Sequence, residues 1–241
     1  MTDIHSHILF DVDDGSSNIE ESIALIKEMK EVGFNNIILT PHYIEDSQYK
    51  VNHYRVANKI KRERLEILKE EVKKRNIDVN LFLGNEIFIN NNIIDLIEKD
   101  EIHPLGNSKY LLIEFAFHNK TLNLEDILYE IENSGYTPII AHPERYSYFQ
   151  ENYKLVDHLK EEGILFQCNY SSIIGYYGKE SQKLFKYMLK KGYVEYLGTD
   201  IHHMTHKQVI DYFPKIEKKI IKYTGHDNYE KIINNCDNLV K

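Results

Sequence analysis

Histidine, aspartate and glutamate recur at the ends of short apolar segments along this chain of 241 residues. The first segment runs into His5-Ser6-His7, and a late one ends in Asp200-Ile201-His202. Side chains two residues apart in an extended chain point to the same side, so each pair could hold one metal ion. Nitrogen and oxygen ligands without a thiolate suit Mn²⁺, Fe or Zn²⁺ and do not distinguish among them.

Other apolar segments end in the same types of residue. They end in Thr40-Pro41-His42, in Gly84-Asn85-Glu86, in Ile113-Glu114 and in Ala141-His142-Pro143-Glu144-Arg145. One histidine at such a place is more often a satisfied polar residue than a metal ligand. Because buried ionisable groups are costly without a charge partner, the repetition favours a metal cluster over chance.

The elements that must position these residues repeat as amphipathic helix, glycine and apolar strand. Helices are predicted at 17–32, 124–134, 152–162 and 180–191, and the strands after them at 36–40, 137–141, 164–167 and 194–197. Further strands are predicted at 2–4, 79–84 and 110–113. Ser17 and Glu20 have the spacing of a capping box. Continuous apolar strands are typical of a parallel sheet that is covered on both faces.

About seven strands alternating with helices can form an open doubly wound sheet or a closed barrel. No glycine-rich phosphate loop follows the first strand, which favours the barrel. The carboxyl ends of parallel barrel strands meet on one face, where catalytic residues collect. We therefore expect one α/β domain over 1–241, a parallel β/α barrel with the metal-type residues on a single rim.

Composition excludes several classes of protein. A net charge of −8 argues against a nucleic-acid partner, and two cysteines are too few for a disulfide framework or a thiolate metal site. We expect a soluble, cytoplasmic protein, since we see neither a signal peptide nor ~20 consecutive apolar residues. The mixed charges from Lys59 to Lys74 predict a solvated helix face. Surface positions are expected for His53, His103, His118, His158 and His226.

The segment Asp11-Val12-Asp13-Asp14-Gly15 could suggest a calcium loop or an aspartyl nucleophile. The calcium-loop spacing fails, because Ser16 stands where that loop requires glycine. A nucleophile is disfavoured because the segment directly follows a metal-type strand end.

Together these motifs resemble the polymerase-and-histidinol-phosphatase (PHP) superfamily of metal-dependent phosphoesterases. Within it, the chain resembles the bacterial tyrosine-protein phosphatases of capsular and exopolysaccharide operons. The resemblance runs over essentially the whole length. It is strongest in the stretches 3–8, 10–15, 40–42, 110–115, 140–145 and 199–202. It implies a distorted seven-stranded β/α barrel and hydrolysis of phosphotyrosine by a metal-activated water. The implied substrate is a tyrosine autokinase of the polysaccharide machinery.

The resemblance also implies three divalent ions, most often Mn²⁺, and a role for each candidate residue. One ion would be bound by His5, His7, Glu86 and Asp200, a second by Glu86, Glu114 and His142, and a third by Asp14, His42 and His202. Arg145 would contact the phosphate. Independently of the resemblance, the mechanism offers Asp14 as a candidate proton donor as well as a ligand. Similar proteins tend to carry a second arginine where this chain has Lys207. Lysine supplies charge without the planar fork of arginine, so phosphate affinity or the substrate would differ.

Alternatives to a tyrosine phosphatase remain at this point. Histidinol-phosphate phosphatase uses the same chemistry, and selectivity would lie in the segments 44–55 and 170–180. A C–N hydrolase usually needs a longer chain and a metal-bridging lysine, and a non-catalytic metal-binding regulatory module would be expected to lack some ligands. A cysteine-based phosphatase is excluded, because neither Cys168 nor Cys236 is followed by five residues and an arginine. The oligomeric state is open.

Overall fold

The computed structural model describes residues 1–44, 56–89 and 93–241. His53 and nearly all of the predicted selectivity segment 44–55 therefore lie outside the described residues. Strands in the described ranges are β1 Thr2–Asp3, β2 Asn36–Leu39, β3 His42–Tyr43, β4 Asn80–Leu83, β5 Glu86–Phe88, β6 Tyr110–Glu114, β7 Thr137–Ala141, β8 Leu165–Asn169 and β9 Tyr196–Gly198.

Helices surround these strands. They are α1 Ile19–Glu31, α2 Asn58–Lys74, α3 Ile93–Glu98, α4 Leu124–Asn133, α5 Ser147–Glu151, α6 Tyr153–Glu161, α7 Lys179–Lys191, α8 Gln208–Asp211, α9 Phe213–Thr224 and α10 His226–Asn238. Short 3-10 turns occur at Pro143–Arg145, Tyr170–Ile174 and Met204–His206. Among the described residues, no helix combines the length and apolarity needed to cross a membrane.

Every strand pair is parallel, as the continuous apolar runs predict. The pairing gives a three-stranded sheet in the order β1-β2-β4 and a six-stranded sheet in the order β3-β5-β6-β7-β8-β9. The prediction of a curled parallel α/β architecture is confirmed. The predicted seven-stranded barrel is not reproduced as such, because two strands are interrupted.

The interruptions lie side by side, at Thr40-Pro41 between β2 and β3 and at Gly84-Asn85 between β4 and β5. Pro41 has no N–H to donate to a sheet ladder. Backbone hydrogen bonds nevertheless span the gap, from Gly84 N to the Leu39 carbonyl at 2.8 Å and from Glu86 N to the Thr40 carbonyl at 3.3 Å. The two chain segments therefore stay hydrogen-bonded to each other across the breaks.

The beginning and the end of the strand series also meet. Ser6 forms a parallel bridge with Ile201, and Asp200 N donates to the His5 carbonyl at 2.8 Å. The buried Asp3 carboxylate accepts hydrogen bonds from Thr199 N at 2.9 Å and Thr199 Oγ1 at 2.6 Å. These contacts set the residues after β1 beside those after β9.

The helices follow their sequence signals, with one shift at the start of α1. Leu124, Ile127, Leu128 and Ile131 form the buried stripe of α4, as their spacing predicts. The four glycines predicted to end helices all have positive φ, between 69° and 102°. The predicted capping box at Ser17 and Glu20 is wrong, because Asn18 caps α1 and its side chain accepts from Glu21 N.

The solvated face predicted for Lys59 to Lys74 is also wrong at one position. Lys61 is fully buried, together with Leu65, Leu68 and Val72. Those spacings of four, three and four residues are those of a helical stripe, so the sequence did carry the signal. Lys61 Nζ lies 5.2 Å from the centre of the Tyr43 ring and has no hydrogen-bond partner among the described residues.

Candidate metal centre

The metal-type residues lie together at the carboxyl ends of the strands, as the sequence predicts. His5 and His7 follow β1, Asp14 lies in the loop after them, His42 begins β3, Glu86 begins β5, Glu114 ends β6, His142 follows β7, and Asp200 and His202 follow β9. Most of these side chains are buried, whereas the Asp14 side chain is 47% exposed. One rim therefore gathers residues from nearly the whole length of the chain.

Glu86 stands at the centre of the cluster. Its Oε2 atom lies 3.3 Å from His5 Nε2, 3.2 Å from His7 Nε2 and 3.1 Å from His42 Nδ1. Its Oε1 atom lies 2.7 Å from His142 Nε2. A carboxylate with two oxygens facing separate imidazoles has the geometry to bridge two cations.

Asp200 closes the cluster from the side of β9. Its Oδ1 atom lies 3.5 Å from His5 Nε2 and 3.6 Å from His7 Nε2. The opposite oxygen, Oδ2, accepts from Arg145 Nη1 at 2.8 Å and from Asn169 Nδ2 at 2.7 Å. One oxygen of Asp200 is thus turned toward the imidazoles, while the other is held by the protein.

Asp14 belongs to the more exposed side of the cluster. Its Oδ1 atom lies 3.6 Å from His42 Nε2 and 3.7 Å from His202 Nε2. The His202 ring stacks on the His7 ring with their centres 3.9 Å apart. This places Asp14 at the boundary between the buried imidazoles and solvent.

The ligand atoms fall into overlapping groups in which all atoms lie within 4.8 Å of one another. The groups are His7-Asp14-His42-His202, His5-His7-Asp200, His5-Glu86-His142 and His42-Glu86-Glu114. These groups differ from the predicted sets in three ways. The first lacks Glu86, the third gains His7, and the second is divided into one group with His5 and one with His42. Imidazoles and carboxylates that converge in this way fit divalent cations.

The electrostatics of the cluster call for added positive charge. Burial, and then the negative charge of Glu86, hold the pKa of Glu114 well above its ordinary value. Burial would also raise the pKa of Asp200, but the charges of His5 and Arg145 outweigh it and hold that pKa well below its usual range. Burial and the positive charge of Arg145 lower the pKa of His142 to about 4. Carboxylates so close together are stabilised by bound cations.

Backbone strain supports the placement of two of these residues. His142 has φ 33° and Asp200 has φ 53°, in the left-handed region that costs a residue other than glycine about 1 kcal/mol or more. His142 directly follows β7 and Asp200 lies one residue further beyond β9, and both side chains contact the cluster. The surrounding packing overcomes this cost at the two positions.

Two glycines let other backbone segments approach the first histidines. A Cβ atom on Gly15 would lie 1.7 Å from the His7 carbonyl oxygen, and one on Gly198 would lie 2.5 Å from His5 Cβ. Neither position could carry a larger side chain without moving a histidine. Close packing on both sides therefore fixes His5 and His7.

Sequence reasoning missed Asp13 as a functional residue. Its Oδ2 atom lies 2.8 Å from His7 Nδ1 and accepts from His42 N at 3.0 Å, while Oδ1 accepts from Gly15 N. Burial would raise the pKa of Asp13, but the hydrogen bond and charge of His7 lower it to about 2. A carboxylate that is hydrogen-bonded to one ring nitrogen of a histidine orients the other ring nitrogen for metal binding. The spacing of Asp13 six residues after His7 was the available signal.

A second supporting network was also missed, on β8. Gln167 Oε1 lies 2.9 Å from His5 Nδ1, and Gln167 Nε2 donates to Asn169 Oδ1 at 2.9 Å. Asn169 Nδ2 in turn donates to Asp200, and the Tyr177 hydroxyl donates to the same oxygen at 3.2 Å. Gln167 and Asn169, two residues apart on β8, thus position His5 and Asp200. These contacts depend on the tertiary structure, so the local sequence pattern does not predict them.

Arg145 lies beside the cluster, as predicted. Its guanidinium carbon is 4.6 Å from the centre of the Phe117 ring and 4.4 Å from that of Tyr177. Two aromatic faces and the bond to Asp200 restrict the group to one place while its side chain stays 25% exposed. A planar cation held in this way is suited to bind a phosphoryl group.

Two cavities border the residues of the cluster. One of about 230 Å³ is bounded by Arg145, Asp14, Tyr176 and His206. Another, of about 360 Å³, is bounded by Phe117, Glu114 and neighbours from β3 to β6. The cluster is therefore open to a ligand from the side of the predicted selectivity segment 170–180.

The histidines predicted to lie at the surface, and Lys207, are the remaining positions to be compared with the structure. His118, His158 and His226 are exposed, as expected, whereas His103 is half-buried and its Nδ1 lies 2.7 Å from the Pro104 carbonyl oxygen. Lys207 points away from the cluster, with Nζ 3.3 Å from Asp211 and 3.8 Å from Glu28.

Fold and site together define a parallel α/β protein with a candidate metal centre at the carboxyl ends of its strands. The chain belongs to the family described as capsular polysaccharide synthesis, CpsB/CapC, whose model matches residues 1–241. It is 34% identical over 209 residues to the tyrosine-protein phosphatase CpsB of Streptococcus pneumoniae, covering 85% of this chain and 84% of the relative. It is 31% identical over 204 residues to the tyrosine-protein phosphatase YwqE of Bacillus subtilis, covering 85% and 78%.

A solved structure agrees with these sequence relatives. Crystal structures described as YwqE from Bacillus subtilis and CpsB from Streptococcus pneumoniae, unique metal-dependent tyrosine phosphatases, include a chain that superposes on this one with a TM-score of 0.88. The sequence identity is 27%, and the match covers 100% of this chain and 94% of the other. The resemblance to capsule-operon phosphatases that the motifs predict is confirmed at the level of the family.

Proposed function

We propose that this protein is a metal-dependent protein-tyrosine phosphatase that acts in capsular or exopolysaccharide synthesis. The observation that carries the proposal is the convergence of four overlapping donor groups on Glu86 and Asp200, with Arg145 held beside them. Membership in a family that contains named tyrosine-protein phosphatases supports it.

The donor set fits three divalent cations, with Mn²⁺ the expected ion and Fe or Zn²⁺ as alternatives. His5, His7, Asp14, His42, Glu86, Glu114, His142, Asp200 and His202 would hold them. When bound, such cations supply positive charge for the phosphoryl oxygens and acidify a water that can attack phosphorus. The crowding of buried carboxylates supports this assignment. Within the described ranges, the ion-pair partners of Glu86, Glu114 and Asp200 are Arg145 and the histidines of the cluster.

The protein side chains would bind and orient the phosphate ester. Arg145 would donate two hydrogen bonds to phosphoryl oxygens, an interaction that strengthens as charge develops in the transition state. Asp14 would deliver a proton to the departing phenolate oxygen, because its carboxyl group lies at the open side of the cluster and borders the cavity. A phenol with a pKa near 10 needs only modest assistance of this kind.

The proposed substrate is a phosphotyrosine on a protein, and a bacterial tyrosine autokinase is the proposed partner. The site is open to solvent beside Arg145, which supports access for a side chain that projects from a protein surface. We also propose that the interrupted strands β2-β3 and β4-β5 each count as one strand of a seven-stranded barrel. The Ser6–Ile201 bridge between the first and last segments supports that arrangement.

The test compares phosphate release by the manganese-loaded protein from a phosphotyrosine peptide, histidinol phosphate and para-nitrophenyl phosphate, with metal content measured in parallel. We expect turnover of the phosphotyrosine peptide, and its loss together with bound metal in His5→Ala. Turnover of histidinol phosphate alone would reassign the substrate. A metal-loaded protein inert toward all three compounds would point instead to a non-catalytic regulatory module.

A further inference from the structure

The cavity of about 230 Å³ beside Arg145 has a polar floor and a partly aromatic wall. Thr199 and Asp200, which are buried, form the floor, and Arg145 lies at the inner wall. Tyr176 and His206 stand at the exposed side. A ligand in the cavity would therefore contact charged groups at the inner end of the cavity and aromatic rings at the outer end.

The size of the cavity suits one aromatic ring. A cavity of about 150 Å³ in a protein core is large enough for benzene. The additional volume here accommodates the phosphoryl group that Arg145 would bind. A phenyl phosphate ester fits both the volume and the change from polar floor to aromatic wall.

Tyr176 and Tyr177, which both line the cavity, differ in how firmly their side chains are held. Tyr177 is fixed, because its ring covers Arg145 and its hydroxyl donates to Asp200. Tyr176 packs edge to face against Tyr177, with ring centres 4.9 Å apart and planes at 88°, and it stays 39% exposed. Tyr176 is thus positioned by a rigid neighbour while part of its ring remains free to contact a ligand.

The basic residues near this wall also differ. Lys207 lies between Asp211 and Glu28 and does not border the cavity. His206, the residue before it, does border the cavity and packs against the rings of His202 and His203, whose centres are 6.1 Å and 5.6 Å away. Of these two neighbouring basic residues, His206 borders the cavity and Lys207 does not.

We propose that Tyr176 and His206 form the subsite that receives the aryl ring of the phosphate ester, and that Lys207 takes no part in it. The proposal rests on the phosphatase function proposed above and makes both residues specificity-determining. An alkyl phosphate would reach Arg145 equally well but would leave the aromatic wall without a contact. The site would thereby favour phosphotyrosine over phosphoserine or phosphothreonine.

The experiment measures the dissociation constants of phenylphosphonate and methylphosphonate with the manganese-loaded full chain by calorimetry. Both compounds resist hydrolysis, so binding is observed apart from turnover. We expect the wild-type protein to prefer phenylphosphonate by about tenfold, since its phenyl ring makes an aromatic contact that a methyl group does not offer. Tyr176→Ala should lose most of that preference, and Tyr176→Phe should keep it.

His206→Ala and Lys207→Ala make a matched pair of neighbouring basic residues. We expect the first to weaken phenylphosphonate binding about fivefold and the second to change it less than twofold, with melting temperature and bound manganese unchanged in both. A larger effect from Lys207→Ala, or equal affinity of the wild-type protein for the two phosphonates, would overturn the subsite. Absence of phosphatase activity and of binding to either phosphonate would instead overturn the proposed function.

Discussion

Asp13 connects two histidines of the cluster, since its carboxylate contacts the ring of His7 and accepts from the backbone N–H of His42. We expect Asp13→Asn to weaken metal binding by about 10- to 100-fold. An uncharged amide holds the protonation state and orientation of the His7 ring less firmly than the carboxylate does. Manganese titration followed by calorimetry measures this affinity. Asp11→Asn is the matched control, because Asp11 lies in the same loop but pairs with Arg64 at the surface. Equal affinities for the two variants would remove Asp13 from the site.

Arg145 should affect the chemical step more than metal retention. We expect Arg145→Ala to lower kcat by roughly 10²-fold, because a positioned cation on the phosphoryl oxygens is lost. Arg145→Lys should recover only part of this, since lysine lacks the fork. Steady-state kinetics and metal analysis of the purified variants test both statements.

Arg75→Ala provides the control for removing an arginine, because Arg75 pairs with Glu20 on the surface. Its kcat should match that of the wild-type protein. Loss of bound metal from Arg145→Ala, to the extent seen for His5→Ala, would show that Arg145 acts through Asp200 and not on the substrate.

At the scale of elements, the sequence predicts which strand ends carry the candidate ligands, because apolar strands and terminal glycines are local signals. His42 and Glu86 lie where the ends of 36–40 and 79–84 predict them. The breaks at Thr40-Pro41 and Gly84-Asn85 are not predictable in this way, since they depend on how neighbouring strands pair. The same holds for Gln167, whose contact with His5 spans 162 residues of sequence.

The close approach of β9 to His5 yields a prediction. Gly198→Ala would place a Cβ atom 2.5 Å from His5 Cβ, closer than packed side chains tolerate. We expect the variant to lose bound manganese and to melt at a lower temperature, because β9 and the segment after β1 must separate. Metal analysis and thermal unfolding followed by circular dichroism measure the two effects.

Gly163→Ala is a suitable comparison for this variant. Its Cβ atom would meet nothing within 4 Å, so its cost is limited to the positive φ of 88°, about 1 kcal/mol. We expect a slightly lower melting temperature with full metal content. Full metal content in Gly198→Ala as well would contradict a steric role for that glycine.

For the molecule as a whole, Lys61 makes stability depend on pH. Burial outweighs the attraction of Asp13 and Glu101 and lowers the pKa of Lys61 from 10.5 to about 7. Between about pH 7 and pH 10.5, the Lys61 amine is protonated in the unfolded chain and neutral in the folded chain. The contribution of Lys61 to the free energy of unfolding therefore rises with pH in this window, by up to about 1.4 kcal/mol per pH unit.

Lys61→Met should remove this contribution. We expect the variant to be more stable than the wild-type protein at pH 7, and the difference to shrink toward pH 10. Urea unfolding at several pH values measures it, with Lys59→Met as the control on the exposed side of α2. A gap between Lys61→Met and the wild-type protein that does not change with pH would contradict the burial argument.

The pairing of Ser6 with Ile201 has a consequence for biosynthesis. His5 is synthesised well before Asp200 and His202, which follow it much later in the chain. A nascent chain holds Glu86, Glu114 and His142 well before that moment, but the cage around His5 and His7 stays open until the last strand arrives. A chain whose synthesis has not yet reached β9 therefore lacks the groups that enclose His5 and His7 from the side of Asp200.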